Sequence, residues 1–236
     1  LASGAGSATI GTAIGAATTT TYVGTVGTEY VVANTGSITA GGAANTSGEL
    51  IFINSTPSAS SSQVLTINAP IVDNGSGAVS VTYSGWGQKH VFGRNTYTGG
   101  TVIDLGRVYV RTNSSAFGTG DVTVKAGGQV FAQDTLLANN FLLSSAATTE
   151  GAGLGGLRLD NSIVTGTITL VNDAQISSGS YAMVAGQITG SGALLKLGNG
   201  TTVLGNGSNN YTGGTVVTGG TLIARLPGVL GSNVSG

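Results

Sequence analysis

The sequence predicts an all-β chain wound as a parallel solenoid, and three observations carry that prediction. The string Asn95-Thr96-Tyr97-Thr98-Gly99-Gly100-Thr101-Val102 returns 114 residues later as Asn209-Asn210-Tyr211-Thr212-Gly213-Gly214-Thr215-Val216. Each copy is led by Gly-Ser-Gly-Ala, at Gly75 to Ala78 and at Gly190 to Ala193. Self-similarity over so long a period marks a fold in which each unit buries its apolar face against the next. Apolar residues also alternate in short stretches bounded by Gly, Asn, Asp or Ser, which is strand patterning. Finally, 42 of 236 residues are Gly, and Gly with Asn supplies the positive-φ corners that a coiled chain of short strands requires. Hairpin Asn-Gly turns do not recur at regular intervals, which favours stacked coils over a sandwich or barrel.

Along the chain, residues 1 to 28 form an uncharged Ala/Thr/Gly/Ser segment with a threonine run at Thr18 to Thr21, and the first charge is Glu29. This segment reads as a strand-rich cap or as part of a longer protein. Strands are expected at Leu50 to Ile53, Val64 to Ile67, Val79 to Tyr83, around Val108 and Val110, and around Val122 and Val124. Leu136 to Leu143 comes nearest to a helical stripe, but Asn139 and Asn140 interrupt it. Leu157 with Leu159, Ile168 with Leu170, Ile188, Leu195 with Leu197, and Leu222 with Ile223 continue the alternation. The division expected is an N-terminal β segment or cap over 1–63 and β-helix repeats over 64–236, continuous as one rod, with motif copies at 75–110 and 190–224. Val229-Leu230-Gly231-Ser232 resembles Ala116-Phe117-Gly118-Thr119, which follows the first copy, so the pattern begins again there.

Within the motif, Asn95 and Asn209 read as turn formers. Tyr97 and Tyr211 read as aromatic anchors over a coil's open edge, with hydroxyls reaching water or backbone. Gly99-Gly100 and Gly213-Gly214 turn the chain where a Cβ would clash. A sharper reading makes the two tyrosines a sugar-binding platform.

Eight basic against nine acidic residues leave no basic footprint for nucleic acid or for a membrane surface. The absence of Cys excludes disulfides and thiolate metal sites, and a single His, His90, excludes any site built on two imidazoles. No apolar run is long enough to form a membrane-spanning helix. No Gly-x-Ser-x-Gly elbow accompanies the many hydroxyls. Carboxylates are spread along the chain, so no metal, cofactor or catalytic residue is expected. Asp104, Arg107 and Arg111, with Arg94 a coil below, form the nearest approach to an enzymatic cluster. Trp86, Lys89 and His90 form the most unusual local group.

The run Ile188-Thr189-Gly190-Ser191-Gly192-Ala193-Leu194-Leu195-Lys196-Leu197-Gly198-Asn199-Gly200-Thr201, followed by Val203-Leu204-Gly205 and Asn210-Tyr211-Thr212-Gly213-Gly214-Thr215, resembles the passenger-associated transport repeat of autotransporter passengers. The first copy departs from that pattern at Ser84 to Val91 and at Asp104 to Arg107. The resemblance implies a right-handed parallel β-helix carried to the cell surface or secreted through the outer membrane of a Gram-negative bacterium by a separate β-barrel. It implies a vehicle without catalytic residues. The function expected is a non-enzymatic stalk or adhesin scaffold; alternatives are a subunit of an extracellular fibre or surface layer, or a polysaccharide-acting β-helix enzyme. Partners expected are a second copy meeting the solenoid ends and a glycan or protein receptor on a host or neighbouring cell. Neither nucleic acid nor membrane insertion of this segment is expected. Candidate binding residues are Trp86, His90, Tyr97 and Tyr211.

Overall fold

The computed structural model describes residues 23–26, 29–32, 36–55, 64–144 and 155–231, and every regular element among them is a strand. Strands form where Val, Ile, Leu and Thr alternate inward and outward. In Val79–Ser84, for instance, Val79, Val81 and Tyr83 are fully buried while Ser80, Thr82 and Ser84 are not. The strands gather into three sheets of ten, five and seven members, here called I, II and III. From Gly128–Gln133 onward the chain visits sheet I, then II at Leu136–Leu137, then III at Phe141–Leu143, before returning to I at Leu157–Asp160. Strands in successive coils pair in parallel: Gly128 meets Gly106, Leu157 meets Ile176 and Leu194 meets Thr215. A parallel solenoid is therefore the observed architecture. At about 4.8 Å per strand, sheet I extends for roughly 43 Å.

The core is a set of inward columns, one residue per coil. Phe52, Tyr83, Ile103, Val124, Leu143 and Leu170 stack along sheet III. Val108, Val130, Leu157 and Ile176 stack along sheet I, and Leu137, Val164, Val184 and Leu204 along sheet II. All are buried and belong to one continuous cluster. Each contributes on the order of 1.5–3 kcal/mol of transfer free energy. The columns also fix register, because a slip of one residue would turn an entire column toward solvent.

Leu136 to Leu143 holds two strands, with Asn139 between them. Across position 63, Glu29–Val32 pairs in parallel with Val64–Ile67 and Gly48–Ile53 with Val79–Ser84. Val23–Val26 folds back antiparallel on Glu29–Val32 and ends sheet I. The threonine run at Thr18 to Thr21 lies outside the described residues.

The two motif copies do not occupy the same side of the rod. The first runs from sheet I (Gln88–Val91) through the motif into sheet III (Thr101–Ile103). The second runs from sheet II (Thr201–Leu204) into sheet I (Thr215–Val217). The repeat is thus a repeat of a corner, moved one side around the coil.

The double glycine serves two separate needs. A Cβ on Gly99 would lie 2.6 Å from the carbonyl carbon and oxygen of Val79 in the preceding coil, whereas Gly100 takes φ of 86°. Gly213 and Gly214 repeat this division, with a Cβ on Gly213 2.3 Å from Ala193 N and Gly214 at φ of 83° with open space around it. We expect Gly99→Ala to cost about 2–4 kcal/mol because backbone must move, and Gly214→Ala only about 1 kcal/mol for the left-handed conformation. Urea unfolding of the two variants, compared at equal m value, checks that order.

Candidate functional site

The motif's polar side chains turn inward and bind one coil to the next. Asn95 accepts the Ile71 N–H on Oδ1 at 2.8 Å and donates through Nδ2 to the Ala116 carbonyl at 2.6 Å. Asn209 repeats this between Ile188 N at 2.7 Å and the Val229 carbonyl at 2.7 Å. Each asparagine spans three coils, and at the corner it forms its side chain is a buried staple that satisfies groups with no ladder partner. Asn113 and Asn139 donate in the same way, to Gly93 and to Gly120 of the coil below.

The tyrosine anchors are also interior. Tyr97 and Tyr211 are fully buried. Each hydroxyl lies 2.5 Å from the oxygen of the threonine four residues on, Thr101 or Thr215. Thr101 passes the bond to the Phe117 carbonyl at 3.2 Å. The following coil lays a glycine on each ring, Gly118 over Tyr97 and Gly231 over Tyr211, and a Cβ on either would come within 3.1 Å of ring carbons. No ring face remains for a ligand, so the tyrosine sugar platform is corrected to a packing role, and the hydroxyls meet threonine rather than water.

Two buried ammonium groups close Gly-x-Gly corners. Lys89 donates to the carbonyls of Gly85 and, at 2.8 Å, Leu105. Lys196 donates to those of Leu197, Gly198 and Gly219 at 2.6, 3.1 and 3.1 Å. Burial pushes Lys89 down to about 7, against a smaller upward pull from Asp104. It lowers Lys196 as well. A neutral amine still has the two N–H groups that Gly85 and Leu105 require.

The proposed acidic and basic group does not act as one cluster. Asp104 accepts from Ser84 at 2.9 Å and pairs with Lys125 at 3.2 Å, and these bonds hold its carboxyl below the ordinary range. Arg107 is buried and donates to Gln129 at 2.9 Å. Arg111 pairs with Asp134 at 3.3 Å, and Arg94 is exposed. Among the described residues no group of three or more His, Asp or Glu could hold a metal ion.

Trp86 and His90 lie on the exterior. Trp86 is 51% exposed at the tip of the Gly85-Trp86-Gly87 corner. The neighbouring coil fixes this corner, because Gly87 N–H donates to the Asn54 carbonyl at 2.9 Å and Asn54 Nδ2 to the Gln88 carbonyl at 2.8 Å. On sheet I, register places His90 beside Tyr109 and Tyr109 beside Phe131. Their ring centroids are 4.8 and 4.9 Å apart. Phe92, 41% exposed, meets His90 edge-on at 5.8 Å. The Arg158 guanidinium covers Phe131 at 3.9 Å from the ring centroid. Tyr109 and Phe131 were missed as candidates because only the coil register brings them to His90.

Interior asparagine staples, tyrosine anchors and glycine corners define a passenger-type β-solenoid, in which the repeated unit is a coil-closing corner. The sequence model of the passenger-associated transport repeat matches residues 91–110 and 194–224, the two motif copies. The chain is 30% identical over 203 residues to the adhesin BmaC autotransporter of Brucella suis biovar 1 (strain 1330), an alignment covering 77% of this chain and 6% of that protein. The chain thus carries passenger-associated transport repeats and is an autotransporter-type passenger sequence. No solved structure matches it.

Two outcomes are expected. Asn95→Ala leaves a buried donor and a buried acceptor unsatisfied and lowers stability by about 2–4 kcal/mol in urea unfolding, whereas substitution of exposed Asn210 changes it by under about 0.5 kcal/mol. Stability also rises with pH from about 7 toward 10, because the unfolded chain holds the Lys89 proton up to the ordinary 10.5 while the folded chain has lost it; the slope approaches about 1.4 kcal/mol per pH unit. Above 10 stability falls again, because Tyr83, Tyr97, Tyr109 and Tyr211 are all raised on folding. Lys89→Met flattens the rise to the part due to Lys196 in unfolding midpoints taken at several pH values.

Proposed function

We propose that this chain is a non-enzymatic, surface-exposed or secreted scaffold of a Gram-negative bacterium, a rod that carries adhesive or spacing function as part of an autotransporter passenger. The observation that carries this reading is the use of the polar groups that recur between the two copies. Asn95, Asn209, Tyr97 and Tyr211 are all engaged in holding coils together, as are Lys89 and Lys196 beside them, so these side chains spend their chemistry on making a rod. The similarity to a protein named an adhesin autotransporter supports the surface placement. That relative is far longer, and the chain spans 6% of its length, so adhesion belongs to this proposal.

Brief protease treatment of intact source cells tests the surface placement. Loss of antibody signal for this segment while a periplasmic marker survives is the expected outcome; a protected segment, with none released to the medium, overturns it.

A further inference from the structure

From Trp86 to Phe92 the chain alternates without a break. Gly87, Lys89 and Val91 are buried, and Trp86, Gln88, His90 and Phe92 stand on the outer side. The matching stretch of the second copy keeps the same interior devices, with Gly198 at φ of 74° where Gly85 has 80° and a buried lysine on the first glycine's carbonyl. The positions matching Trp86, Gln88, His90 and Phe92 are, however, Asn199, Thr201, Val203 and Gly205, of which Val203 is buried. Coil closure therefore asks for no aromatic ring at these positions. The first copy departs from the repeat by placing rings on the outside.

The departure has a definite layout. Four side chains two residues apart form a row roughly 20 Å long across the outside of sheet I. Tyr109 and Phe131 extend it along the rod from His90 by ring contacts of 4.8 and 4.9 Å. Tyr109 is held before any ligand arrives, donating to Gln133 at 2.7 Å, and the backbone of the Trp86 corner is pinned by Asn54 from the neighbouring coil and Lys89 from beneath. Less conformational entropy then remains to be lost on binding.

The chemistry of the face narrows its partner. It combines aromatic rings with planar amide and imidazole groups, and outward Leu, Ile and Val are absent from the row, which does not suit the apolar face of a protein helix. Three nearby ion pairs are closed, Lys125 with Asp104 at 3.2 Å, Arg111 with Asp134 at 3.3 Å and Arg158 with Asp160 at 3.0 Å, while Arg107 lies 5.5 Å from the Phe131 centroid and Arg94 is exposed. The row of Trp86, Gln88, His90 and Phe92 itself holds no Lys, Arg, Asp or Glu, so stacking and amide contacts outweigh charge there. Rings that stack on apolar C–H surfaces, beside amides that both donate and accept, match the alternating faces and hydroxyl rims of a sugar chain.

We propose that the outer face of sheet I around Trp86, Gln88, His90, Phe92 and Tyr109, backed by Phe131, binds a neutral glycan chain. The biological sense of this site rests on the surface-scaffold reading, but its test on the purified 236-residue chain succeeds or fails wherever the protein is displayed.

Trp86 is the one tryptophan in the chain, so its emission reports the site directly. Titrations would use neutral hexasaccharides of glucose, mannose, galactose and N-acetylglucosamine, with a heparin hexasaccharide and hexagalacturonate as anionic probes. At least one neutral hexasaccharide is expected to shift the emission saturably, with calorimetric affinity falling about tenfold or more for Phe92→Ala and for Trp86→Ala. Tyr181→Ala, which removes an exposed ring from sheet II, should leave it unchanged, and circular dichroism should show all three variants folded. Binding of the anionic probes alone, emission unmoved by every neutral probe at millimolar concentration, or an affinity indifferent to both Phe92→Ala and Trp86→Ala would overturn the proposal.

Discussion

A solenoid must satisfy, at every corner, backbone groups that belong to no strand. Along the sheets the neighbouring coils supply partners automatically, but at the corners the chain turns inward and water is excluded. The interior asparagines answer this need. Asn95 and Asn209 each reach down to an amide and up to a carbonyl, so a single side chain fixes the separation of coils that are otherwise joined only through strands two to six residues long. The buried lysines do the same for carbonyls that converge at Gly-x-Gly corners. With the corners fixed, the aliphatic columns fall into register and close the core.

The parts of this arrangement that were legible in the sequence are those with local signatures. Alternation at Val79 to Tyr83 or Leu157 to Leu159 announces strands because period-two burial needs only adjacent residues. Gly99-Gly100 announces a corner because only glycine takes both the close approach and the positive φ. The role of Asn95 was not legible. The same residue type serves exposed turns and buried staples, and the difference lies in groups more than twenty residues away. Lys89 was hidden for a related reason, since burial of an ammonium depends on carbonyls from Gly85 and Leu105 converging on it.

The candidate site divides along the same line. Trp86 and His90 stood out by rarity and do lie outside. Tyr97 and Tyr211 stood out by repetition, and repetition proved to be the sign of interior work. Tyr109 and Phe131 carried no signal of their own; they join His90 only when the chain is folded modulo one coil, which requires the register. Recurrence between the copies thus points here to interior packing.

The shift of the motif from one side of the rod to the next has its own consequence for how such proteins change length. Because the corner module occurs at two different sides of the coil, units carrying it need not be separated by whole coils, and a spacing that is not a whole number of turns rotates everything beyond it. Lineages of such rods can therefore differ in the compass bearing of their outward side chains without differing in their cores.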